Sequence, residues 1–96
     1  MNESAQFPKI DLTTFILSVS SAAFMGLGVE IPGTGEKPEI NLELARQNID
    51  LLEMMLEKTR GNRTPAEDQL LEKLLFETRM RFVEVQKIVS QKKAGQ

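Results

Sequence analysis

The side chains able to do chemistry come first, and they are few. Two pairs of carboxylates, Glu53 with Glu57 and Asp68 with Glu72, lie one helical turn apart, a spacing at which acids can share a metal ion or divide acid and base roles. A di-metal site in a helical bundle also needs Glu-x-x-His motifs from facing helices. The 96-residue chain has no histidine and no cysteine, so such a site cannot be completed, and thiol chemistry and disulfides are excluded. Ser18, Ser20 and Ser21 likewise lack an imidazole to activate them, and no lysine lies near them in sequence. Pro32-Gly33-Thr34-Gly35-Glu36-Lys37 suggests a phosphate loop, but its glycine is not followed directly by Lys and Ser or Thr, and no strand precedes it. The expectation is a non-enzymatic chain with no catalytic, cofactor-binding or metal-ligating residues and no small-molecule substrate.

Charge narrows the choice of partner. Twelve basic residues against fourteen acidic give a net charge of −2, which disfavours nucleic acid and anionic membrane as partners. Lys58, Arg60 and Arg63 cluster at one point, where neutralisation of a helix end and surface pairing explain them better than phosphate contacts. Weak nucleic-acid binding there is kept as an alternative. Arg46 is expected to pair with Asp50 on the surface, and Arg81, at the edge of an apolar stripe, with Glu77 or a carboxylate of the second helix.

The pattern predicts an all-α fold of three helices, at about 12–27, 42–60 and 65–90, within a single domain over 11–90. Residues 1–10 read as a flexible arm whose end Phe7 and Ile10 can anchor, and 91–96 as a flexible tail. From Leu12 to Val29 there is no charged residue, and apolar side chains surround the axis. A membrane span and a secretory signal both fit less well than a buried helix. The run barely reaches spanning length, its hydroxyls dilute it, and only Lys9 lies before it as a basic residue. Peripheral membrane association through this charge-free helix remains an alternative. Ser18, Ala22 and Gly26 recur every four residues, a small-residue stripe that lets another helix come close, from the same chain or a second copy.

The second and third helices are expected to form a long antiparallel αα-hairpin, capped by Asn41 at its start and turned by Gly61. Thr64, Pro65 and Glu67 supply an N-cap hydroxyl, a first-turn proline and a carboxylate able to reach back to the cap. The third helix carries a main apolar stripe through Leu71, Leu75, Thr78 and Phe82 and a second one, Phe76, Met80 and Val83, on nearly the opposite side. Val85, Ile88 and Val89 overshoot the shorter second helix and require cover from the arm, the first helix or another subunit. Three helices cannot cover all of these faces, so the sequence predicts a homo-oligomer, with a two-fold dimer favoured, and room for an unidentified protein partner.

Phe15-Ile16-Leu17-Ser18, the run Gly35-Glu36-Lys37-Pro38-Glu39-Ile40-Asn41-Leu42-Glu43-Leu44-Ala45-Arg46-Gln47, Glu57-Lys58-Thr59-Arg60-Gly61-Asn62 with Thr64-Pro65, and Arg79-Met80-Arg81-Phe82-Val83 together resemble a small bacterial family, domain of unknown function eighteen forty-four. The resemblance covers nearly everything from Asp11 to Val85. It implies an all-helical, stand-alone bacterial protein of the cytoplasm, and it supplies no activity and no catalytic residues.

Overall fold

The computed structural model describes residues 9–30 and 33–94, and over these the chain forms three α-helices that pack on one another. The expectations for residues 1–8, Phe7 included, lie outside the described residues. Helix α1 spans Leu12–Gly26, α2 Leu42–Lys58 and α3 Pro65–Ala94.

Each helix starts where a side chain satisfies its free amides. Asp11 Oδ1 accepts from the Thr14 N–H at 2.8 Å, and Asn41 Oδ1 accepts from the Leu44 N–H at 3.1 Å. At α3 the box is reciprocal, because the Glu67 N–H donates to Thr64 Oγ1 at 3.1 Å while the Thr64 N–H donates to Glu67 Oε1 at 2.8 Å. Helix α1 stops at Leu27, whose N–H is shared between the Ala23 and Phe24 carbonyls, and Gly28 then takes the left-handed conformation at φ 76°.

Two helix ends differ from the sequence expectation by more than one residue. Helix α2 ends at Lys58 rather than 60, since its last bonds tighten around Thr59 and Arg60 before Gly61 turns the chain at φ 83°. Helix α3 continues four residues past Ser90, so most of the expected tail is helical. No glycine or proline interrupts Gln91 to Ala94, and Lys92 and Lys93 suit the negative end of the dipole.

All three helices contribute to one core. Ile16, Val19 and Ala23 of α1 meet Ile49, Leu52 and Met55 of α2 and Leu71 and Leu75 of α3. A smaller cluster of Leu27, Ala45 and Val85 closes the other end, with Phe24, Val29, Leu42, Phe82 and Val89 packed against it. Helix α1 therefore packs within its own chain, and its end covers most of the α3 overhang. Val85 is buried and Val89 half-buried, leaving Ile88 as the exposed member of the three. Ile10 anchors nothing, being largely exposed.

The small-residue stripe is only partly used. Ser18 faces outward, Ala22 is half-buried, and Gly26 alone sits at a tight crossing, where a Cβ would lie 2.8 Å from Ala45 N and 2.9 Å from Asn41 O. The turn of the helix explains this: the buried side of α1 runs through Ile16, Val19, Ser20 and Ala23 to Gly26, at spacings of three and four rather than strictly four. The Asn41 N–H also donates to the Gly26 carbonyl at 2.7 Å, so the end of α1 and the start of α2 are bonded directly.

Two hydroxyls lie in the core and both donate back to their own helix. Ser20 donates to Ile16 O at 2.7 Å, and Thr78 to Leu74 O at 2.8 Å and Leu75 O at 3.1 Å. Among the described residues no buried side-chain polar atom lacks a partner.

Candidate functional site

The sequence places Phe76, Met80 and Val83 at intervals of four and three residues, which stacks them on one side of α3, about 150° around the axis from the line of Leu71, Leu75, Thr78 and Val85. The packing follows that division. Leu71 and Thr78 are fully buried, whereas Phe76 is 64% exposed, Met80 57% and Val83 51%. Among the described residues nothing covers the outer line. It is two helical turns of apolar surface with Lys73 one turn before it and Lys87 one turn after it.

Val83 also belongs to a second feature. A groove of about 360 Å³ runs between α2 and α3, lined by Arg46, Ile49 and Glu53 on one side and Arg79, Phe82, Val83 and Gln86 on the other. Its floor is apolar, and the Arg79 guanidinium bonds the Glu53 carboxylate across it. Both groups are about half exposed, which makes the pair a weak tether between the helices. Because Val83 is shared, groove and outer line form one continuous surface.

Further apolar exposure lies elsewhere. Leu44 and Leu51 on α2 remain partly exposed together with Met54 and Ile40, whereas Met55 is buried. On α1 the outward side chains include Phe15, Leu17 and Met25.

Several of the polar side chains serve the fold. Arg63, in the link between α2 and α3, turns inward with its side chain only 11% exposed. Its Nη1 donates to Leu56 O at 2.7 Å and to Thr59 Oγ1 at 2.9 Å, while Nε donates to Asp68 Oδ1 at 2.9 Å and Nη2 lies 2.7 Å from the same oxygen. One guanidinium thus ties the Leu56 carbonyl and the Thr59 hydroxyl at the end of α2 to an acid in the first turn of α3. Of the three cations expected at the hairpin tip, Arg63 is committed to the fold and Lys58 and Arg60 stay exposed.

Each one-turn carboxylate pair accordingly has one member engaged by an arginine: Asp68 by Arg63 and Glu53 by Arg79. Among the described residues no group of three or more acids is arranged to hold a metal ion. Arg81 differs from expectation. It is about half exposed and lies 3.5 Å from Glu84, one turn ahead of it, rather than pairing with Glu77 or α2. The reason is its place on the wheel, outside the half-buried Leu74 and turned toward solvent. The surface pair of Arg46 and Asp50 does not form, and Arg46 lines the groove instead.

The fold and these surfaces define a small all-α protein built on a clamped helical hairpin. The family model for a domain of unknown function (DUF1844) matches residues 9–84, and the chain belongs to that family. Comparison with curated proteins and with solved structures finds no match. Among the described residues, no helix is long and apolar enough to cross a membrane.

Proposed function

We propose that this chain is a non-enzymatic helical interaction protein that acts by self-association and by docking a protein partner. The observation that carries this reading is the uncovered line of Phe76, Met80 and Val83, continuous with the α2/α3 groove. Apolar positions grouped on one helix face mark an interaction site rather than ordinary surface scatter. The absence of histidine and cysteine from the sequence supports the non-enzymatic part. Light scattering on the full chain at micromolar concentration tests it, with a mass of two chains expected. A single-chain mass across that range sinks the reading.

A second reading, association with a lipid surface through α1, is favoured by the charge-free run from Leu12 to Val29 with Phe15, Leu17 and Met25 turned outward. It lacks the basic face that holds such helices at anionic membranes. Flotation with anionic liposomes separates the two, and co-migration of the chain with the lipid favours this second reading.

A further inference from the structure

The sequence has no cysteine, histidine, tryptophan or tyrosine, which leaves its five methionines as the side chains that peroxide oxidises most readily. Met1 lies outside the described residues, and the fold divides the other four. Met55 is buried in the core, while Met54, next to it in sequence but about 100° around the helix axis, is half exposed. Met25 is nearly as open as Met54, and Met80 is the most open of the four at 57%. Position separates Met80 further. It lies between Phe76 and Val83, within one turn of each, as the middle member of the uncovered line, whereas Met25 and Met54 belong to α1 and α2.

We infer that Met80 is a modification site, where a peroxide oxidises the thioether and turns the outer line of α3 from apolar to polar while the fold stays intact. A sulfur lone pair attacks one oxygen of hydrogen peroxide and the O–O bond breaks. The hydroxide released takes the proton from the transferred oxygen and leaves as water, so sulfur loses the two electrons that the peroxide gains. The product is a sulfoxide, a polar group in place of an apolar one. At Met80 water supplies its hydrogen bonds, and no packing in the core is disturbed. At Met55 the same group lies among apolar side chains, where an unpaired polar group is costly. The consequence goes beyond the docking reading above, since a polar group in the middle of the line weakens its attraction for any apolar surface, whichever one covers it.

The test uses the full chain carrying Met25→Leu and Met54→Leu, volume-conserving changes at exposed sites that leave Met80 as the open methionine of the described residues. Dilute hydrogen peroxide is added at high dilution of the protein, where no second copy shields the line, and peptide mass mapping follows each methionine. Met80 is expected to gain one oxygen at least about tenfold faster than Met55, which reacts only when the core opens. Circular dichroism is expected to stay unchanged, and the oxidised chain to elute earlier from a hydrophobic-interaction column. Met80→Leu in the same background is expected to lose that shift. Oxidation of Met80 no faster than that of Met55, loss of helicity in the Met80 sulfoxide, or an equal shift in the Met80→Leu chain overturns the assignment.

Discussion

The two faces of α3 are built from similar residues and have opposite fates. Leu71, Leu75, Thr78 and Val85 vanish into the core, while Phe76, Met80 and Val83, larger on average, remain mostly in water. Apolar content does not decide which side folds inward. The inner line faces α1 and α2 together, and its threonine completes its bonding on its own helix, so nothing polar opposes burial there. The outer line faces no other element among the described residues. Each large apolar side chain left in water forgoes about 1.5–3 kcal/mol of transfer free energy, and three in a row on one helix make a surface with strong reason to be covered from outside.

That contrast can be attacked from its strongest side first. Leu71→Ala is expected to cost about 2–5 kcal/mol in guanidinium denaturation, through lost transfer energy and the cavity left in a fully buried site. Arg63→Ala comes next, at about 2–3 kcal/mol, because it leaves the Leu56 carbonyl and Asp68 without their shared donor. Arg63→Lys should recover little of that loss, since one ammonium cannot hold both ends of the clamp; full recovery would show that charge alone matters.

Gly26→Ala opposes two effects. The methyl meets backbone atoms of Ala45 and Asn41 at under 3 Å, an overpacking cost of about 1–3 kcal/mol, against which removing a helical glycine returns about 0.5–1. Net destabilisation is expected, and a midpoint that rises would show that the α1/α2 crossing relaxes freely.

Phe76→Ser should change the unfolding free energy of the separated chain by less than about 0.5 kcal/mol while abolishing any dependence of the midpoint on protein concentration. If it costs as much as Leu71→Ala even at high dilution, the two faces are not different in kind.

The smallest effect concerns Asp11. Hydrogen bonds from the Thr14 side chain, then from its amide, hold the Asp11 carboxyl below its ordinary value of 3.8. A carboxyl with a lower pKa folded than unfolded contributes stability above the unfolded value and loses it as the pH falls through the folded one. Asp11→Asn, which caps without titrating, is therefore expected to lose slightly less stability than the parent as the pH falls below the ordinary carboxyl value of 3.8, as read by thermal midpoints.

The signals legible in the sequence were the local ones. Asp11, Asn41 and the Thr64, Pro65, Glu67 box act within four residues of themselves, and all three helix starts lie where those residues place them. The two lines on α3 were equally plain, because helical period alone separates Phe76, Met80 and Val83 from Leu71 and Leu75. What could not be read depends on elements meeting in space. Arg63 gathers Leu56, Thr59 and Asp68 from both helices, and its sequence context shows only one of three adjacent cations. Gly26 looked like one member of a regular stripe, and only the crossing with Asn41 and Ala45 separates it from Ser18. Val85 and Val89 overhang α2 when those two helices are taken as a pair, while α1 fills the gap from the third direction.

The bond from Asn41 to Gly26 joins the two ends of the segment that separates α1 from α2. The path between them begins and ends at one point, so its length is decoupled from the helix packing on either side. In a closed loop of this kind, doubling the number of residues costs only about 0.6 kcal/mol. At the exposed glycines Gly33 and Gly35 a β-carbon would meet no heavy atom of the described residues within 4 Å beyond its chain neighbours, which marks where extra chain would meet least resistance. A reporter peptide or a small folded insert placed there should leave the bundle intact, making this the natural port for labelling the protein without touching either face of α3.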